Sequence, residues 1–355
     1  MLVPLKSFAS EDVPFEMLNY NLETKTVEEY TFKGNKVPDF CPGFEGTETE
    51  NNNGRGIIGS DDRNLVNTKT APYSYIGMLE ANYNEDAAHC TGFLVSPDTV
   101  VTAAGAIFRY AGNKTGSMPN EVYFYPGYSK GSMPYGKAKV TSIHIPSQFK
   151  TQGYEGTLYN FAILKLNTSI GNKSGYFGIR NNVVGTAGES IGSYMISGYV
   201  NGEVEGPDSF AYNQVCATGN VLLSSNGYTL KYTIDTANVG QEGAPIFKRS
   251  GGVDYIAGIN CLTIKNDNGS CIGNQGRYIT KALYELIVSL KGWYYLEGAR
   301  CWKGMCAFWN KVRKIVLKME KIAKKLTDYY MRKGLINEKD TAIYQFGWQV
   351  SIEIF

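Results

Sequence analysis

Long hydrophobic runs are missing from this 355-residue sequence. No stretch of 18 consecutive apolar residues is present, so no membrane-spanning helix is predicted. The N-terminus, MLVPLKSFAS, has no uninterrupted apolar segment, so no signal peptide is predicted, although a missing or misassigned gene start would produce the same pattern.

Cysteine is too scarce for a disulfide scaffold. The seven cysteines are scattered, and their odd number leaves at least one without an intramolecular partner. Cys261 and Cys271 flank the polar loop LTIKNDNGS and are the best candidate disulfide. Cys301 and Cys306 have no further cysteine or histidine nearby to complete a ligand set, so no metal site is predicted. No cofactor is predicted either.

Charged residues are also few, at 19% of the sequence, and the net charge is only +2. The two signs are unevenly distributed: residues 294–355 hold twelve Lys and Arg against six Asp and Glu. This tail therefore carries about +6 and the rest of the chain about −4. No nucleic-acid-binding module accompanies the basic tail, so a nucleic-acid partner is not predicted.

Glycine, tyrosine and short apolar runs are what the chain has in abundance. It contains 40 Gly and 26 Tyr, and 43% of its residues are hydrophobic. From Ile57 to about Gly276, runs such as GFLVSP, FAILKLN and GAPIF recur every 10–15 residues, separated by Gly, Asn and Ser. This spacing predicts an all-β domain, a barrel or a sandwich, rather than alternating strands and helices.

The region before this β domain, residues 1–56, is predicted to be a separate segment. Residues 12–32 are predicted to be irregular or weakly paired polar structure. The stretch 44–56, FEGTETENNNGRG, is typical of an exposed linker.

The β domain is predicted to span 57–293 and to close with a helix over 278–290, YITKALYELIVSL. Residues 294–355 form a third part, a helical extension. Apolar residues at three- and four-residue spacing predict a helix over 306–332, with Lys and Arg on the opposite face.

Four motifs occur in this order along the β domain: IIGSDDR at 57–63, CTGFLVSPDTVVTAA at 90–104, FAILKLN at 161–167 and GQEGAPIF at 240–247. In sequence and order they resemble the bacterial glutamyl endopeptidases, which are trypsin-like serine proteases. The resemblance covers about 57–293. It implies a chymotrypsin-like pair of six-stranded β-barrels with a C-terminal helix and a cleft between the barrels. It also implies a pro-segment at 1–56 and a secreted or cell-surface location.

The resemblance places three unexpected residues at the positions of the catalytic triad. Gly105 stands where the family has its general-base histidine, Asn160 where it has the orienting aspartate, and Glu242 where it has the nucleophilic serine. Glycine cannot accept a proton, and an amide does not stabilise an imidazolium by charge. Attack of a carboxylate on a peptide carbonyl would give an anhydride, a poor route to amide hydrolysis. No intact catalytic residue is therefore predicted.

Other parts of the family's site are altered or retained. Ala106 replaces the cysteine that would pair with Cys90, and Asn260 replaces the specificity histidine of a Gly-Ile-His motif. The turn Gly240-Gln241-Glu242 matches the oxyanion-hole motif, so its backbone N–H groups are expected to survive.

Three roles for Glu242 remain open. Its carboxylate folds back onto the oxyanion-hole N–H groups and plugs them, or it anchors a basic ligand, or it reflects drift after catalysis was lost. We expect the first.

The predicted function is that of a catalytically inactive serine-protease homologue that binds peptides or proteins in the vestigial cleft. The first alternative is a hydrolase with residual or unorthodox activity that uses His89 or Glu242. The only other histidine, His144, also lies away from the triad positions. No oligomeric state is predicted.

The second alternative is a membrane-surface or scaffold protein that acts through the basic helix at 306–332. From Met319 onward the tail resembles the N-terminal segment of the accessory gene regulator B family, membrane proteases that process quorum-sensing peptides. The family's catalytic residues and membrane helices have no counterpart in this stretch, so no activity is implied. A gene fusion or truncated reading frame is the simpler explanation of the tail.

Overall fold

A computed structural model describes residues 15–32, 57–84, 86–111, 115–152, 158–179, 186–200, 213–237, 239–250, 252–291, 293–296 and 299–302. The chain divides into two units, Met1–Lys291 and Gly292–Phe355. The predicted helix at 306–332 and the resemblance beginning at Met319 lie outside the described residues. Among the described residues, no helix is both long and apolar enough to cross a membrane.

The first half of the larger unit is built from short strands. Strands β1 to β11 span Phe15–Asn21, Thr26–Phe32, Asn64–Leu65, Ile76–Asn82, Ala87–Ser96, Thr99–Thr102, Arg109–Ala111, Thr115–Ser117, Glu121–Pro126, Ala138–Pro146 and Ala162–Leu166. The described strands β11, β6, β5, β4, β9 and β10 pair in that order, and β10 also pairs with β11, which closes a six-stranded antiparallel barrel.

The second half repeats this architecture. Strands β12 to β18 span Gly178–Ile179, Ser190–Tyr199, Gln214–Leu223, Thr229–Tyr232, Pro245–Ser250, Val253–Lys265 and Cys271–Tyr278. The described strands β17, β16, β13, β14, β15 and β18 pair in that order, and β17 pairs with β18 to close a second antiparallel barrel. Its interior is filled by apolar side chains, among them Tyr194, Ile196, Leu230 and Ile246. The predicted double barrel is confirmed.

Three α-helices occur in the described part of this unit: α1 (Ser147–Gln152), α2 (Gly171–Ser174) and α3 (Lys281–Leu290). Helix α3 is the predicted closing helix, and its inward side chains Leu283, Leu286 and Ile287 are fully buried. It begins later than residue 278 because Tyr278 still belongs to β18 and Thr280 is the N-cap, whose hydroxyl accepts the N–H of Leu283 at 3.4 Å.

The prediction for residues 12–32 was wrong for the part that is described. Residues 15–32 form an antiparallel hairpin, β1 and β2, and β1 pairs with β10 from Met17↔Pro146 to Asn21↔Ser142. The hairpin was missed because its outer strand, TVEEYTF, is mostly exposed and polar, and because β1 pairs with a strand more than 100 residues away in the sequence.

In the smaller unit, β19 (Trp293–Leu296) and β20 (Ala299–Trp302) form an antiparallel pair. The proposed domain limits 1–56, 57–293 and 294–355 stay predictions.

His144 on β10 is expected to make folding stability depend on pH. Burial lowers the pKa of His144 to about 4, with a smaller effect from the charge of Lys165. The unfolded chain therefore takes up a proton at this residue below about pH 6.5 that the folded chain does not, so the contribution of His144 to stability falls as the pH falls from about 6.5 toward 4. The loss should reach only about 1–2 kcal/mol, because local opening of the hairpin also exposes the ring.

Urea unfolding of the native chain and of His144→Gln at pH 7 and pH 5 isolates this contribution. The variant His144→Gln keeps a polar partner for the hydroxyl of Tyr30, which lies 3.0 Å from Nδ1 of His144. Between pH 7 and pH 5 the change in its stability should be about 1–2 kcal/mol more favourable than the change in the native chain. Equal changes in both proteins would contradict this assignment.

Candidate functional site

The two barrels meet at Thr91 on β5. The N–H of Thr91 donates to the carbonyl of Glu242 at 3.1 Å, and its hydroxyl donates to the carbonyl of Gly240 at 2.7 Å. The same hydroxyl accepts the N–H of Tyr199 on β13 at 2.9 Å. This fully buried threonine of the first barrel therefore holds the turn at 240–243 in place. Sequence reasoning did not single out Thr91, although it follows Cys90 in the CTG motif.

Gly105 and Asn160 are neighbours because of strand pairing. Strands β6 and β11 are antiparallel, with Thr102 opposite Ala162, so the segments after β6 and before β11 emerge at the same end of the barrel. The N–H of Gly105 donates to Oδ1 of Asn160 at 2.9 Å. Asn160 is fully buried.

Glu242 reaches across from the second barrel to this pair. Nδ2 of Asn160 donates to Oε1 of Glu242 at 3.4 Å, between residues 82 positions apart in the sequence. The structure therefore brings the three predicted triad positions into one hydrogen-bonded chain, Gly105 to Asn160 to Glu242. The longer glutamate side chain meets Asn160 directly, and Gly105 places no side chain between them.

The expected fold-back of the Glu242 carboxylate was wrong. The backbone N–H groups of Gly240 and Glu242 make no hydrogen bond within the described residues. The carboxylate turns to Asn160 instead, because the buried Nδ2 of this amide needs an acceptor and Glu242 is within reach. The N–H groups of the predicted oxyanion-hole region are therefore left without a protein acceptor in this part of the chain.

The turn that carries these N–H groups depends on glycine. Gly240 and Gly243 both have positive φ, +99° and +85°. A Cβ on Gly243 would lie 2.0 Å from Oγ1 of Thr102 and 2.2 Å from the carbonyl oxygen of Thr91, so no larger residue fits. Ala244 donates its N–H to the carbonyl of Gln241 at 3.0 Å, which closes the turn.

The site disfavours a negative charge. Desolvation raises the pKa of Glu242 to about 7, and the hydrogen bond from Asn160 only partly offsets this. A neutral carboxyl is therefore the main form below about pH 7.

Two buried thiols lie beside this carboxyl. Cys90 donates to the carbonyl of Ala106 at 3.2 Å, at the position where the family resemblance implied a missing disulfide partner. Cys261 donates to the carbonyl of Asn160 at 3.4 Å. Burial raises the pKa of each thiol well above the usual range for cysteine, and the negative charge of Glu242 raises each pKa further. Neither is therefore a ready nucleophile near neutral pH.

Asn260, the predicted specificity position, lies behind the same turn and is almost fully buried. Its Nδ2 donates to the carbonyl of Gln241 at 2.8 Å, and its Oδ1 accepts the hydroxyl of Tyr232 at 2.6 Å. The side chain of Gln241 is also buried, with Oε1 accepting the N–H of Ala237. Both polar ends of the Asn260 amide and Oε1 of Gln241 are therefore satisfied by the protein and support the turn from behind, whereas the buried Nε2 of Gln241 has no hydrogen-bond partner within the described residues.

The predicted disulfide between Cys261 and Cys271 is wrong: both are free thiols. In the β17–β18 hairpin Cys271 lies opposite Lys265, four residues along the strand from Cys261. That register separates the two Cα atoms by roughly 13 Å, beyond the ~7 Å that a disulfide spans. The loop length suggested proximity, but the hairpin turn lies at residues 266–270, so Cys261 lies beside Gln275 and Gly276 rather than opposite Cys271.

His89 lies on β5 two residues before Thr91, but its ring is turned toward a different group. Its Nε2 lies 3.9 Å from Oε2 of Glu80 on the neighbouring strand. Both side chains line a small depression of about 230 Å³ together with Tyr125 and Tyr128.

The chain is similar to known bacterial proteases. It is 30% identical over 239 residues to glutamyl endopeptidase of Bacillus licheniformis, a match that covers 67% of this chain and 69% of that protein. It is 27% identical over 235 residues to extracellular metalloprotease of Bacillus subtilis, which covers 65% of this chain and 68% of that protein. No family model matches the chain.

Solved structures show the same similarity. The structure of Glu endopeptidase in complex with MPD superposes with a TM-score of 0.54 at 28% identity and covers 66% of this chain and 99% of that one. The protease Anisep from Arthrobacter nicotinovorans gives a TM-score of 0.49 at 18% identity, covering 64% and 98%.

Proposed function

Because the chain belongs to the glutamyl endopeptidase family of chymotrypsin-fold serine proteases, we propose that it is a catalytically inactive member that binds peptide or protein segments in the cleft between its barrels. Gly105, Asn160 and Glu242 occupy the positions of base, orienting residue and nucleophile. One observation carries the proposal: Nδ2 of Asn160 donates to the carboxylate of Glu242 at 3.4 Å.

This contact argues against triad chemistry. Proton removal needs a base between the orienting residue and the nucleophile, and in this chain the two positions touch each other. A carboxylate at position 242 has no productive route to amide hydrolysis. The thiols of Cys90 and Cys261 are buried and protonated.

The same geometry supports binding. In a working protease the N–H groups of this turn hold the carbonyl oxygen of the bound peptide. Because the carboxylate of Glu242 is engaged by Asn160, the N–H groups of Gly240 and Glu242 remain available, within the described residues, for a ligand carbonyl. We infer that an extended peptide backbone is the ligand and that it stays uncut.

Two companion assignments concern where the protein acts. One relative is named as an extracellular protease, and we propose that this chain is also secreted or displayed at the cell surface. Membrane attachment through 306–332 is a hypothesis about residues outside the described ones.

Binding without cleavage is tested with the full chain and a panel of fluorescent peptides, some containing glutamate. We expect saturable binding, no cleavage after prolonged incubation, and no labelling by a fluorophosphonate probe that reacts with activated serines. Glu242→Ala should also fail to cleave. Peptide cleavage that Glu242→Ala abolishes would overturn the proposal in favour of an unorthodox hydrolase.

The turn supplies a matched control for the binding site. Gly240→Pro removes one of the two available N–H groups and also opposes the positive φ at that position, so it should weaken peptide binding. Gly252→Pro makes the same change at another positive-φ glycine, in the β16–β17 connection. If both variants bind like the native chain, the ligand does not use the turn.

A further inference from the structure

The hairpin at 15–32 is joined to the first barrel by a continuous backbone ladder. Residues Ser142, Ile143 and His144 of β10 pair with β11 on one side and with β1 on the other. Strand β9 pairs only with the start of β10, at Ala138 and Lys139. Beyond the ladder, the N–H of Leu22 donates to the carbonyl of Thr141 at 2.9 Å. Without β1, this stretch of β10 would be an open strand edge.

The hairpin also contributes side chains to the barrel. Phe15, Met17, Leu18 and Leu22 are almost completely buried. The ring of Phe15 meets the ring of Phe161 edge to face, with centroids 5.4 Å apart. Phe161 follows Asn160 directly, so the hairpin packs against the segment that carries the central residue of the candidate site.

Polar contacts tie down both ends of the hairpin. Nζ of Lys25, at the turn, donates to the carbonyl of Asn120 at 2.6 Å. The hydroxyl of Tyr30, on the outer strand, lies 3.0 Å from Nδ1 of His144. The hairpin is thus attached through its backbone, its apolar face and its tip.

We propose that residues 15–32 are a permanent strand pair of the first barrel, which stays bound without a covalent link when the chain is cut between the hairpin and residue 57. The surface is the β10 edge with Phe161, and its occupant is this chain's own hairpin. A pro-segment that leaves on cleavage would expose that edge and the ring of Phe161 to water. This inference does not rest on the proposed function.

The test cuts the full chain at a chosen point. Residues 47–53, TETENNN, are replaced by a seven-residue recognition sequence of a site-specific viral protease, and the folded protein is cleaved. Gel filtration then separates bound from released fragment. We expect the N-terminal fragment to elute with the barrels at micromolar concentration and to separate only in denaturant. Separate elution under native conditions, whether or not the remainder stays folded, would overturn the proposal.

Two substitutions of the same kind identify the face responsible. Met17→Asp places a charge at a side chain that is 1% exposed, whereas Val27→Asp does so at one that is 51% exposed. After cleavage, Met17→Asp should release the N-terminal fragment at least about tenfold faster than the native protein does. Val27→Asp should release it at a rate within about twofold of the native rate. Equal release by both would show that the buried face does not hold the hairpin.

A milder variant covers the case in which Met17→Asp prevents folding. Tyr30→Phe removes only the hydroxyl that contacts His144. Its fragment should dissociate about threefold faster after cleavage, with the uncut protein still folded. An unchanged rate in Tyr30→Phe, together with prompt release in the native protein, would count against the proposal.

Discussion

The triple variant Gly105→His, Asn160→Asp and Glu242→Ser should hydrolyse an activated peptide ester about 10³-fold faster than the native chain, while each single variant stays at background. A complete triad contributes about 10⁶-fold in turnover, and its members act as a unit, so one restored residue gains almost nothing. We expect only about one thousandth of that 10⁶-fold acceleration, because the cleft of this chain has not been selected for catalysis.

The structure favours this reconstruction at three points. The N–H of Gly105 already lies 2.9 Å from the side chain of residue 160, so an imidazole at 105 starts close to a carboxylate at 160. Gly105 is not one of the glycines with positive φ, so its backbone accepts a histidine. The shorter serine at 242 also frees the space beside residue 160 that the glutamate now uses.

Ester turnover and fluorophosphonate labelling measure the outcome. The triple variant should be labelled, whereas the native chain and the single variants should not. A folded triple variant that is neither labelled nor active would contradict the assignment of the three positions. Preference for glutamate is not expected, because Asn260 is buried and its amide is already satisfied.

Glu242→Gln is expected to stabilise the protein by about 2 kcal/mol at pH 8 and to have little effect at pH 4.5. The folded-state pKa of Glu242 is raised to about 7 by desolvation, whereas the unfolded value is 4.5. The unfolded chain therefore releases its proton first, and this group destabilises the fold as the pH rises from about 4.5 to 7. The full shift would correspond to about 3 kcal/mol, and partial solvent exposure of the side chain reduces it.

Chemical denaturation across this pH range measures the effect, and Glu242→Ala is the control. Glutamine keeps an oxygen acceptor for Nδ2 of Asn160, whereas alanine leaves this buried amide without one. Both variants should remove the loss of stability that Glu242 causes between about pH 4.5 and 7, but only Glu242→Gln should be more stable than the native chain at pH 8. Destabilisation by Glu242→Gln at pH 8 would mean that the site holds the ionised carboxylate favourably.

Much of the fold was predictable from local signals. Short apolar runs separated by turn residues predicted the strands, and the order of four motifs predicted two barrels with a closing helix. The hairpin at 15–32 was missed, since the partner of β1 is supplied by β10 and its exposed outer strand has no strong apolar pattern. The disulfide prediction failed because cysteine spacing does not reveal where the hairpin turns, and the turn position sets which residues face each other.

The sequence by itself determined which groups stand at the three triad positions, and with them the chemistry that those side chains lack. Tertiary structure alone decided where the carboxyl of Glu242 points. Sequence reasoning directed it to its own turn, but it accepts a hydrogen bond from the buried Nδ2 of Asn160, which belongs to the other barrel. Packing of the two barrels through Thr91 brings these residues together, and no local pattern encodes a contact of that range.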